Sequence, residues 1–122
     1  MIRILYVDDE PDIREIACLS LVLDPELDVR DCANGAEALI AVRVWRPHLI
    51  MLDVMMPGMD GPATFERLRA LDEARTTPIL FITARTQEKD VARLRALGAA
   101  GVIEKPFDPM TLASQVRAYL AP

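Results

Sequence analysis

Cysteine, histidine and glycine are scarce in this chain of 122 residues, which has two cysteines, one histidine and five glycines. Cys18 and Cys32 stand in apolar or strand-like surroundings without CxxC spacing. That excludes a disulfide framework and a zinc site, and both read as small core residues. No GxGxxG follows the first apolar run, so a dinucleotide-binding reading fails. Basic residues are outnumbered, 14 against 19 acidic, for a net charge of -5. A chain without a basic footprint is not expected to bind nucleic acid directly, because phosphate contacts need one. No apolar run approaches the roughly 20 residues of a membrane span. The chain begins with the short apolar stretch Met1–Val7 and then meets Asp8-Asp9-Glu10, too early a break for a signal peptide. The expected location is cytoplasmic, with no membrane contact. Low-complexity tracts and linkers are absent too.

What is present is globular, with 52% hydrophobic and 27% charged residues. The length fits one domain over residues 1–122, long enough to bury roughly two-thirds of its unfolded surface without a staple. Five short apolar runs recur, at residues 2–7, 29–33, 49–52, 79–82 and 102–103. Helical patterns separate them. The first carries Ile13, Ile16, Ala17 and Leu21 with Pro11 in a first turn. The second opens at Asn34-Gly35 with Glu37 as a capping-box partner and runs to about Trp45. The third carries Phe65, Leu68 and Leu71, and the fourth Val91, Leu94 and Leu97 with Gly98 as its stop. A fifth follows Asp108-Pro109 with Leu112, Val116 and Leu120 and is expected to run almost to Pro122.

Five strand-then-helix repeats imply parallel strands joined by right-handed crossovers, an α/β sandwich with helices on both faces. Continuously apolar runs belong inside such a sheet, whereas the alternating second run and the short fifth run suit its edges. The order 2-1-3-4-5 satisfies both, a doubly wound five-stranded parallel sheet whose switch point lies between strands one and three. Ligands are expected there.

The residues that end these strands are polar in a consistent way. Strand one ends in Asp8-Asp9, strand three in Asp53, strand four in Thr83, and Glu104 of strand five leads into Lys105-Pro106. In a parallel sheet all these ends share one edge. Any one of them could be an ordinary solvated group, but five at one edge form a constellation. Two like charges about 4 Å apart repel by about 4 kcal/mol at an effective dielectric near 20, so a cation must sit among the acids. All-oxygen donors with no histidine or cysteine nearby favour a hard divalent ion such as Mg²⁺. A lysine facing them suits a phosphoryl group as a point charge.

The set Val7-Asp8-Asp9-Glu10, Leu52-Asp53-Val54-Met55-Met56-Pro57-Gly58-Met59-Asp60-Gly61, Thr83-Ala84 and Lys105-Pro106-Phe107 resembles the receiver domain of bacterial two-component response regulators, chemotaxis-regulator-like, across essentially the whole chain. The resemblance implies the flavodoxin-like (βα)5 fold and a role for each position. Asp53 would accept the phosphoryl group. Asp9, Asp53 and the backbone carbonyl of Met55 would hold Mg²⁺ directly, and Asp8 through water. Lys105 would contact the phosphoryl group and Thr83 would move to bond it. Pro57 and Gly58 would shape the loop after the acceptor, and the Lys105-Pro106 peptide would be cis. The function implied is a phosphorylation-dependent signalling switch in a phosphorelay, with no catalysis beyond its own phosphoryl acceptance and autodephosphorylation.

Partners implied are a sensor histidine kinase or phosphotransfer protein, a downstream target protein or effector domain, and a phosphorylation-dependent homodimer. The donor must be external, since the one histidine, His48, reads as a solvated turn cap. Two alternatives are a Mg²⁺-dependent phosphohydrolase and a receiver-like module that works without phosphorylation. The first usually needs a second Asp where Met55 stands, and the second normally loses acids or the lysine. Val102 occupies the place where the family usually has an aromatic switch residue, so the signal is expected to leave through the loop between Thr83 and Gln87. Met51, Met55, Met56 and Met59 read as packing residues, and Arg67, Arg69, Arg93 and Arg95 as solvated helix surface.

Overall fold

The computed structural model describes residues 1–120. Strands β1 (Ile2–Val7), β2 (Leu27–Cys32), β3 (Leu49–Asp53), β4 (Ile79–Thr83) and β5 (Gly101–Glu104) alternate with helices α1 (Pro11–Leu21), α2 (Gly35–Trp45), α3 (Gly61–Arg69), α4 (Glu88–Ala96) and α5 (Leu112–Arg117). A single 3₁₀ turn, Asp72–Ala74, precedes β4. All pairings are parallel and the order is β2-β1-β3-β4-β5, as the strand compositions require.

Alternation along each central strand sends neighbouring side chains to opposite faces. Leu5, Val7, Ile50, Leu52, Ile79 and Phe81 meet Ala38 and Val42 of α2, Phe65 and Leu68 of α3, and Leu94 of α4. Ile4, Tyr6, Leu49, Met51, Leu80 and Ile82 meet Ala17 and Leu21 of α1 and Leu112 and Val116 of α5. Both faces are covered, which is why these strands read as unbroken apolar runs.

Several local expectations shift. β2 starts two residues early because Ile2 and Arg3 of β1 pair with Leu27 and Asp28. α3 ends before Leu71, and α5 closes at Arg117, which leaves Leu120 beyond the helix. The expected run of α5 to Pro122 ends on residues 121–122, which lie outside the described residues. Asn34 caps α2 by accepting from the Glu37 backbone N–H at 2.9 Å, while Glu37 reaches back to the Ala33 N–H at 3.1 Å. Gly98 follows α4 with φ +111°, a conformation that only glycine takes cheaply.

Three side chains, Arg69, Met55 and Cys18, differ from their expected settings, while His48 is the exposed cap that its turn position implies. Arg69 is not solvated surface: its guanidinium lies 4.8 Å over the Phe65 ring and donates to the carbonyls of Ala74 and Thr77. Met55 is 67% exposed at the surface of the loop after β3, whereas Met51 and Met56 are buried. Cys18 is only half-buried while Cys32 is buried, and both are free thiols pushed up to about 11 by burial. His48 is a cap with a definite partner, its Nδ1 accepting from the Arg3 N–H at 2.9 Å where β1 starts beside β3.

Candidate functional site

The sheet's carboxyl edge brings Asp8, Asp53, Thr83 and Lys105 to one place, as the topology demands. Asp8 is fully buried just past β1, and its carboxylate is bonded on every side. Oδ1 accepts from the Glu10 N–H at 3.0 Å, and Oδ2 accepts from the Tyr6 hydroxyl at 3.1 Å and faces Lys105 Nζ at 2.8 Å. Asp53 closes β3, also buried, with its Oδ2 3.3 Å from the same Nζ. One ammonium therefore bridges two buried carboxylates. Lys105 is carried there by the end of β5, where its N–H donates to the Thr83 carbonyl at 2.9 Å, and the Lys105-Pro106 peptide is cis.

Protonation follows from this geometry. Burial and the neighbouring Asp8 charge push the Asp53 carboxyl up to about 6, against the pull of Lys105. Burial works to lower the Lys105 ammonium, but its hydrogen bond to Asp8 and the charges of Asp53 and Asp8 outweigh it and hold the group above its ordinary value. The Tyr6 phenol is raised by burial first and then by Asp8, so it stays a neutral donor.

Thr83 ends β4, buried, with its Oγ1 accepting from the Arg85 N–H at 3.0 Å. The loop that follows is fastened to the neighbouring strand by a 3.1 Å bond from the Thr86 hydroxyl to Glu104. On the other side of the site, Gly61 begins α3 so close to β3 that a Cβ there would stand 2.4 Å from the Asp53 carbonyl oxygen and 2.7 Å from Val54 Cα. Only glycine lets α3 start against the acceptor strand. Its N–H donates to the Val54 carbonyl at 2.9 Å and closes the loop of residues 54–60, whose tip carries Gly58 at φ +76°.

The acids fit a hard cation. Carboxylate oxygens of Asp8, Asp9 and Glu10 lie within 4.8 Å of one another, an all-oxygen set with neither nitrogen nor sulfur. Asp53 turns instead to Lys105, and Glu10 takes a place in the cluster that sequence reasoning did not give it. Its position directly after Asp8-Asp9 was the available signal. Tyr6 was missed as well, although residues two apart in a strand share a face and Tyr6 precedes Asp8 by two.

A family model described as "Response regulator receiver domain" matches residues 4–117. The chain belongs to this family. It is similar to the DNA-binding response regulator MtrA of Mycolicibacterium smegmatis, 41% identical over 119 residues, which are 97% of this chain and 50% of that protein. It also resembles the transcriptional regulatory protein YvrH of Bacillus subtilis, 39% identical over 117 residues, 96% of this chain and 48% of that protein. The receiver chain thus spans about half the length of these relatives. Among solved structures, the chemotaxis protein CheY4 of Vibrio cholerae aligns with TM-score 0.90 and 33% identity over 98% of this chain and 99% of that one. The chain is thus a receiver domain of the kind found in two-component response regulators. No helix among the described residues is long and apolar enough to cross a membrane.

Proposed function

We propose that this receiver domain accepts one phosphoryl group on Asp53 from a phosphohistidine of a sensor kinase or phosphotransfer protein, and that the modified state changes its protein contacts. The observation that carries this reading is the Lys105 ammonium held between Asp8 and Asp53. An Asp53 oxygen forms the new O–P bond while the P–N bond to the donor imidazole breaks, and the electron pair leaves with the imidazole nitrogen. No proton need be abstracted from the nucleophile, so the site's task is to offset charge on the phosphoryl oxygens. Lys105 is placed to do this. A divalent cation such as Mg²⁺, held by Asp9, Asp53 and the backbone carbonyl of Met55 with Asp8 behind, would neutralise the acids and polarise the phosphoryl oxygens.

Thr83 serves as the reporter. Its hydroxyl is held by the Arg85 N–H and turns to the phosphoryl oxygen once that group is present. We assign no turnover chemistry beyond acceptance and self-dephosphorylation, and a cytoplasmic setting that suits a kinase partner. Homodimerisation of the phosphorylated form is one output of the same change.

The test is intact mass after incubation with a small acyl phosphate. The unsubstituted protein should gain one phosphoryl group with Mg²⁺ and none with chelator, and Asp53→Asn should gain none in either. A gain that persists in Asp53→Asn would overturn the assignment.

A further inference from the structure

Beside the acceptor edge, between the start of α3 and the side of α4, lies a hollow of about 370 Å³. Its walls are apolar: Val54 and Met55 from the loop after β3, Pro62 of α3, and Leu94 and Leu97 at the end of α4. Arg85, Arg93 and Asp90 also line it and border a second hollow of about 510 Å³, to which Lys89 adds a third cation. These volumes suit a small molecule, and apolar walls with a few polar groups are the usual make-up of such sites.

The cations are available. Arg85 and Lys89 enter no ion pair among the described residues, and Arg93, 74% exposed, makes only a long surface pair with Asp90 at 3.6 Å, a contact of the weak, solvent-screened kind. The second acid on the wall, Asp60, is occupied in capping α3, its Oδ1 accepting from the Ala63 N–H at 2.9 Å. Across the two hollows three cations, Arg85, Lys89 and Arg93, stand against two acids, Asp60 and Asp90, in a chain whose net charge is -5.

We propose that this hollow binds a small amphiphilic organic anion, its apolar body against Val54, Pro62 and Leu97 and its anionic head on Arg85 and Arg93. The site is joined to the switch through one bond. Arg85 supplies the head contact, and its own N–H holds the Thr83 hydroxyl. This connection rests on the reading of Thr83 given above, and it couples the ligand's affinity to the phosphorylation state of Asp53. The binding site itself does not depend on phosphorylation.

Anilinonaphthalene sulfonate, an aromatic body with one sulfonate, is a matched probe, and phenylnaphthylamine is its uncharged counterpart. Titrated into the unphosphorylated protein, the sulfonate should shift amide resonances of residues 54–62 and 83–97. Its affinity should fall at least about tenfold in the double variant Arg85→Ala, Arg93→Ala, through loss of charge-assisted contacts. Both side chains are exposed, so the variant keeps its fold, checked by its far-ultraviolet dichroism. The uncharged probe should bind the unsubstituted protein more weakly than the sulfonate does. Asp53→Asn should bind the sulfonate as the unsubstituted protein does, which separates this site from the acceptor assignment. Shifts confined to other parts of the molecule, or equal affinity in the double variant, would overturn the proposal.

Discussion

Lys105 Nζ lies 2.8 Å from Asp8 Oδ2, and this contact is the only ion pair that the fully buried Asp8 makes among the described residues. The same ammonium also serves Asp53 at 3.3 Å. Two buried acids thus depend on one base, and the site's stability, protonation and chemistry are coupled through it.

Removing that base should be costly. Lys105→Met leaves Asp8 and Asp53 buried without a counter-charge, a change that destabilises by about 3–5 kcal/mol in fully buried pairs and by about 2–4 kcal/mol here, where the lysine keeps some contact with water. Urea unfolding at pH 7 without divalent ions measures it. The loss should shrink at pH 5, where Asp53 takes up a proton. Equal stability at pH 7 would show that the bridge contributes nothing.

Asp53 should make the apo protein lose stability as pH rises. Its folded value of about 6 is above the ordinary carboxylate value near 3.8, so the folded state binds its proton more tightly than the unfolded state does. The sign follows: the contribution is complete below about pH 4 and is lost as pH rises through about 6. A shift of about two pH units corresponds to roughly 3 kcal/mol. Asp53→Asn has no such dependence and should exceed the unsubstituted protein in stability at pH 7 by about 2–3 kcal/mol, with the two converging toward pH 4. Parallel stability curves across that interval would contradict the charge arrangement.

Gly61 allows α3 to start against β3. A methyl group there meets backbone, not a flexible side-chain tip, at 2.4 Å and 2.7 Å, so Gly61→Ala must displace the helix or the acceptor strand. Overpacking of this kind costs about 1–3 kcal/mol. Gly58→Ala is the contrasting case, since space beside it is open and only its positive φ is strained. Thermal unfolding should rank Gly61→Ala as the more damaging, and the opposite order would mean that the loop tip, not the close approach, limits the site.

Signal transmission should depend on Thr83 and not on residue 102. Val102 lies half-buried opposite Phe81, packed on the α2, α3 and α4 side of the core, and is too small to swing as an aromatic ring does. The bonds Arg85 N–H to Thr83 Oγ1 and Thr86 hydroxyl to Glu104 tie the loop of residues 84–87 to both strand ends. Thr83→Ala should therefore abolish the change in amide exchange on α4 that follows phosphodonor addition, and Val102→Ala should keep it. The reverse pattern would assign the route to β5.

Much of this is legible in the amino-acid sequence. The apolar runs Ile4–Val7, Leu49–Leu52 and Ile79–Ile82 imply burial on both faces, and a parallel sheet must then gather Asp8, Asp53, Thr83 and Lys105 at one edge. What stayed hidden depends on side-chain direction. Nothing in the spacing says that Asp53 turns to Lys105 while Glu10 joins Asp8 and Asp9. Arg69 read as surface because an arginine at a helical surface position is usually solvated, and its carbonyl acceptors arise only from the turn after α3. The ends of α3 and α5 were overestimated because apolar spacing continues past the last helical hydrogen bond, as Leu71 and Leu120 show.

The most direct measurement chemically traps the acyl phosphate. Borohydride reduces an aspartyl phosphate to homoserine, and peptide mass mapping then locates the altered residue. After incubation with phosphodonor and Mg²⁺, residue 53 should be recovered as homoserine, with Asp8, Asp9 and Glu10 unchanged. Homoserine at residue 8 or 9, or 5-hydroxynorvaline at residue 10, with residue 53 intact, would contradict the assignment of Asp53 as the acceptor.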